Sequence, residues 1–204
     1  MLVALGLWLA AFLPAALIPN GILISILVVG AALVFVRESR APTLALVHRS
    51  VPVSLAIGCL AGLAMAFLVD PLTTAVAERL TGSRIDLSSL EGVHGNFANY
   101  LMLLALGLLF GGVVEEVVNR GFLVGWGSRA FGERWALWLM VVSAVGFGLA
   151  HAWQGPAGMI TTGVSGLAYG AVYLASGRKL LPAMMTHATA NFVGITQIYL
   201  YGTA

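Results

Sequence analysis

Residues 99–118 read NYLMLLALGLLFGGVVEEVV, apolar apart from Asn99 and Tyr100 at one end and the adjacent Glu115 and Glu116 near the other. A bilayer-spanning helix needs about 20 mostly apolar residues, so this stretch is long enough to cross. It nevertheless carries two carboxylates into surroundings that penalise charge, and ionisable groups in such places mark functional sites by default. Two questions follow for the rest of the chain: whether it too is built for lipid, and what accompanies the two acids.

The composition answers the first. Of 204 residues, 60% are hydrophobic and 9% charged, and the mean hydropathy is +0.98. A soluble domain carries about a quarter charged residues, and so few charges could not cover a globule in water. A cytosolic enzyme, a nucleic-acid-binding domain and a disordered chain are excluded. Residues 2–18, 21–36, 51–69, 135–150, 157–176 and 180–201 are further apolar stretches of spanning or near-spanning length. Backbone groups in a bilayer need partners within their own segment or a closed barrel. The expected fold is therefore all-α, a polytopic membrane helix bundle of about seven transmembrane helices forming a single integral-membrane domain over 1–204.

Local signals refine this outline. Pro19-Asn20-Gly21 is expected to turn the first two helices into a tight hairpin. In the connection 70–98, a surface helix is expected around 71–80, with Ser88 and Glu91 as a capping box and Asn96 capping the next helix. Gly58/Gly62, Gly107/Gly111 and Gly166/Gly170 are read as close packing inside the bundle rather than a dimer seam. The lone Cys59 reads as a buried inert thiol. No basic region precedes 2–18, which argues against a cleaved signal peptide. Alternating sides from the N-terminus puts Arg37, Arg40, Arg49, Arg120, Arg129, Arg134, Arg178 and Lys179 on one flank, with Arg79 and Arg84 on the other. By the positive-inside rule the N-terminus is then cytoplasmic. Alanine-rich, arginine-over-lysine usage points to a bacterial inner membrane.

The second question turns on four more polar residues in apolar runs: Arg120, His151 in FGLAHAW, and His187 with Asn191 in THATAN. Residues four apart share a helix face. Glu116 thus lies over Arg120, and an ion pair there leaves neither charge alone in low dielectric. Glu115 has only Asn119 on its face, so it is free to face the bundle interior, where a half-desolvated carboxylate suits general-base work near neutral pH. His187 and Asn191 present two donors side by side, as a developing oxyanion requires. His151, from a third helix, is the natural second partner for a water held by Glu115. Each of these could instead be hydrogen-bond glue between helices, but their conjunction on three helices favours a site. Glu115, His151 and His187 could also supply three zinc ligands. Without a His-Glu-x-x-His helix the reading is against a cofactor, although ligand count alone leaves zinc open. Simple rods would set Glu115 and His151 more than ~20 Å apart in depth. The helix carrying Glu115 is therefore expected to continue toward Phe131 and sink Glu115 to mid-membrane.

The runs Glu115-Glu116-x-x-x-Arg120-Gly121, Phe147-x-x-x-His151 and His187-x-x-x-Asn191 resemble, in this order, the motif set of the CPBP (Abi) intramembrane proteases, which include the type II CAAX prenyl endopeptidases. The resemblance lies within 99–195. It implies a glutamate-dependent endopeptidase in which Glu115 is the general base, polarising a water with His151, and His187 and Asn191 stabilise the oxyanion. Glu116 and Arg120 are implied as supporting structure, and Phe147 as packing at the site. Asn119 departs from the pattern, since many members carry an aromatic residue there. The implied partners are a membrane-anchored or lipidated protein or peptide, namely a prenylated tail, a peptide precursor or a C-terminal sorting tail, within the lipid bilayer and without nucleic acid. The alternative is a non-proteolytic protein, a bacteriocin self-immunity factor or a scaffold; a proton-relaying transporter is a third reading.

Overall fold

In the computed structural model, which describes residues 1–18 and 21–203, each of the apolar stretches has its own helix. These are α1 (Leu2–Leu17), α2 (Ile22–Phe35), the short α3 (Arg37–Thr43), α4 (Val51–Thr81), α5 (Phe97–Phe131), α6 (Glu133–Ala150), α7 (Gly155–Ala175) and α8 (Leu180–Tyr201). No strand occurs among the described residues, and the fold is all-α. Pro19 and Asn20 of the expected hairpin turn lie outside the described residues, while α1 and α2 pack along each other. By length and apolar composition α4, α5 and α6 can cross a membrane, and α2 with α3 makes a fourth candidate, bent by 117°. On these grounds three or four spans are counted among the described residues, which does not confirm the expected seven. The first two helices are only 16 and 14 residues long, and α7 and α8 mix glycine, serine and threonine into their apolar runs.

The expected surface helix at 71–80 is the second half of α4, which runs unbroken for 31 residues. Proline inside a helix clashes with the carbonyl four residues earlier. Here the chain widens into a π-helical turn over Met65–Val69 directly before Asp70-Pro71, which relieves that clash and lets the helix continue. The expected capping box is also replaced. Ser88 donates from its N–H and its Oγ to Asp86 Oδ1, at 2.9 and 2.7 Å, and does not engage Glu91. Those bonds, the hydroxyl's first, hold the exposed Asp86 carboxyl below the usual carboxylate range. Asn96 does cap α5, its Oδ1 accepting from the Asn99 N–H at 3.1 Å.

Helix α5 decides where the acids sit. It spans 35 residues and reaches Phe131, so Glu115 stands near its middle. Its central part, Gly107–Glu115 and Val117–Trp126, is wound wide with π-helical bonding. The indole of Trp8 on α1 donates to the Leu123 carbonyl at 2.8 Å, in a core shared with Val118, Phe122 and Trp126. Antiparallel α6 is set in register by Leu139 against Gly127 and by Ser143 Oγ donating to Asn119 Oδ1 at 3.2 Å. Following that register back one turn places Phe147 level with Glu115 and His151 one turn beyond it, with both lining one cavity with Glu115, which removes most of the depth mismatch that simple rods would create. Arg120 is 2% exposed within this helix, so it is a core residue and not one of the flanking cations.

The three spaced glycine pairs are filled from within the chain. Met185 and Thr189 of α8 occupy the space over Gly58 and Gly62, Ile195 and Asn191 that over Gly107 and Gly111, and Ala144 and Met140 of α6 that over Gly166 and Gly170. Cys59 is a free thiol, half-buried rather than fully buried as expected.

Candidate functional site

Glu116 is fully buried, and one of its oxygens gathers two partners. Its Oε1 accepts from Arg120 Nη1 at 2.8 Å and from His187 Nδ1 at 2.9 Å. Arg120 in turn donates from Nη2 to the Gly166 carbonyl at 2.7 Å, and its guanidinium lies 5.1 Å from the Phe147 ring centroid and 5.4 Å from that of Tyr169. Tyr169 stacks on the His187 imidazole with centroids 4.5 Å apart. One dry cluster thus ties α5, α6, α7 and α8 together. The local spacing in sequence indicated the Glu116–Arg120 pair. Nothing in the sequence singled out Tyr169, whose setting in GLAYGAV reads as ordinary core.

The other nitrogen of His187 looks toward Gly111. A Cβ built on Gly111 would stand 3.3 Å from His187 Nε2 and 2.5 Å from Asn191 Nδ2, so both nitrogens pack closely over the Gly111 backbone. Asn191 is oriented by donating from Nδ2 to the Gly107 carbonyl at 2.9 Å.

Glu115 belongs to different surroundings. It is half-buried and lines a cavity of about 740 Å³ together with Asn119, Phe147, His151 and the end of α1. Its carboxylate makes no hydrogen bond or ion pair among the described residues. His151 closes the C-terminal end of α6, and its Nδ1 is 2.8 Å from the Phe147 carbonyl oxygen. A carbonyl only accepts, so Nδ1 carries the proton and Nε2 of the neutral ring is left as an acceptor. Asn119 spans the wall, donating from Nδ2 to the Glu115 carbonyl at 2.9 Å while Ser143 donates to its Oδ1.

A tetrahedral zinc site needs its ligands converging on one point at about 2 Å, and among the described residues no group of three His, Cys, Asp or Glu side chains is placed to hold a metal ion. His187 is committed through Nδ1 to Glu116, and the Phe147 ring packs against both imidazoles, at 4.8 Å from His151 and 5.8 Å from His187.

Comparison with known proteins adds one relationship. Residues 97–193 match the family described as type II CAAX prenyl endopeptidase Rce1-like. The match opens with α5 and closes two residues past Asn191, so it contains every motif residue named above. No curated protein and no solved structure matches the chain.

Proposed function

We propose, from the kinship of residues 97–193 with a protease family that acts on prenylated membrane proteins, that this chain is an intramembrane endopeptidase. Its substrate is a membrane-anchored or lipidated protein. The observation that carries the reading is the cavity of about 740 Å³ in which a Glu115 carboxylate without a partner among the described residues and the acceptor Nε2 of His151 share a wall. A water held by both would give its proton to Glu115 as its oxygen attacks the scissile carbonyl, and Glu115 would pass that proton to the leaving amine. The attack is direct in this reading: among the described residues neither histidine hydrogen-bonds to a serine or cysteine side chain.

The groups assigned to the developing oxyanion are His187 Nε2 and Asn191 Nδ2, which come together over the Gly111 backbone. Because Nδ1 of His187 donates to Glu116, Nε2 carries a proton only in the doubly protonated ring, and the role requires that form. Glu116, Arg120 and Tyr169 hold the imidazole in place. Seven of the ten cations flank one side of the bundle once Arg120 is set aside. On the positive-inside rule that side is cytoplasmic, with the N-terminus there, in a bacterial inner membrane.

The test compares membrane-protein termini in cells carrying the wild-type chain or Glu115→Ala at equal abundance. Precursors cut only by the wild type are expected, and they identify the substrate and the cleaved bond together. Identical termini in the two strains would end the peptidase reading.

A further inference from the structure

A second cavity, about 470 Å³ in volume, lies where the ends of α5 and α7 meet α3, and no residue of the candidate site lines it. Its wall includes Gly125, Arg129, Glu133, Tyr173, Arg178 and Lys179, three cations against one carboxylate. The turn after α7 brings two of them there. Gly177 and Arg178 both take left-handed backbone angles, φ +67° and +60°, and their N–H groups close onto Leu174 and Tyr173. A non-glycine residue at positive φ is uncommon, so the chain accepts strain at Arg178 to make this corner. Arg178 is then held by an ion pair with Glu133 and by donating to Ser128 Oγ at 3.0 Å.

The second, independent observation is Tyr173. It is 0% exposed, its hydroxyl abuts Gly125, and that hydroxyl has no hydrogen-bond partner among the described residues. Buried tyrosine hydroxyls ordinarily find one. Here the orphan sits in the wall of an open, basic cavity. Lys179 forms no ion pair among the described residues, and Arg129 reaches Glu133 only at 3.8 Å. The uncommitted groups are thus an ammonium, most of a guanidinium and a phenol, each able to donate. That is the complement of a phosphate oxyanion, which accepts through several oxygens. The cavity also lies at helix ends on the cation-rich flank, the depth at which lipid headgroups sit.

We propose that this cavity binds the phosphate of an anionic lipid headgroup, with Lys179 and Tyr173 as its direct donors and Glu133 keeping Arg178 in place. The site is separate from the peptidase reading and stands or falls without it. The test uses the full chain purified in neutral detergent and offered equal amounts of phosphatidylglycerol and phosphatidylcholine, with retained lipid counted by native mass spectrometry. One phosphatidylglycerol should stay on the wild type, and Lys179→Gln and Tyr173→Phe should each weaken its retention about fivefold. Neither substitution removes a bond made within the chain, and Tyr173→Phe should melt no lower than wild type because it deletes only an unpartnered hydroxyl. A second arm adds inorganic phosphate. If phosphate raises the melting temperature of the wild type but not of Lys179→Gln, and phosphatidylglycerol is not retained, the oxyanion site stands with a free anion as its occupant. Equal retention of phosphatidylglycerol by wild type and variants overturns the proposal, as does the binding of neither probe.

Discussion

On one side of α5, Glu116 is 0% exposed and shares an oxygen between a guanidinium and an imidazole; one residue earlier, Glu115 faces a cavity of about 740 Å³ with no partner for its carboxylate among the described residues. The side chains are identical and the backbone between them is a single peptide bond. What separates them is direction. A carboxylate whose Oε1 is held by two donors in a buried cluster is tied into the packing, whereas one beside a water-sized space and an acceptor histidine has room for a water. In the proposed mechanism the face of α5 from which a residue projects therefore decides its part. The cost of each deletion should differ in kind on the two faces.

The largest separation is expected from Glu115→Gln. It should lower peptide-bond cleavage by roughly 100- to 10,000-fold, the usual scale of general acid–base catalysis, with a melting temperature in detergent close to wild type. The pairing would be broken if Glu115→Gln also unfolded the protein, since that would make it a structural carboxylate like its neighbour. Glu116→Ala should do the reverse. It leaves Arg120 buried without its counter-ion, a change that costs about 3–5 kcal/mol, read as a loss of folded protein in a thermal or denaturant series. Asn191→Ala should sharpen the picture, with kcat falling about 100- to 1,000-fold, as for the loss of an oxyanion donor, and with KM changing little. Gly111→Ala should act on the same two donors by intrusion, because the new methyl would sit 2.5 Å from Asn191 Nδ2. Overpacking of this kind costs about 1–3 kcal/mol, and the equivalent change at Gly30, where nothing lies within 4 Å, should cost far less. The smallest effect belongs to Ser143→Ala. Removing its hydrogen bond to Asn119 should destabilise the fold by about 1 kcal/mol and lower cleavage only slightly, by loosening the register that brings Phe147 and His151 to the cavity wall with Glu115.

The sequence by itself determined the solvent, the fold class and every relation that spans a single turn. Composition placed the chain in lipid, and backbone hydrogen bonding then left helices as the expected solution. The four-residue spacing of Glu116 and Arg120 was enough to pair them, and Asn96 could be read as a cap because its partner is three residues away. Relations across the bundle were decided by tertiary structure alone. His187 reaches Glu116 across 71 positions of sequence, and Tyr169 enters the same cluster from a fourth helix with no local signal. The meeting of Glu115 and His151 in one cavity follows from the full length of α5 and its register on α6, and the continuity of α4 through Asp70-Pro71 follows from a widened turn. The physical reason is the same in each case. Spacing along a chain encodes which side chains share one helix face, whereas the distance between faces on different helices is set by how closely the helices pack. In this protein glycine gaps and a few buried polar bonds set that packing.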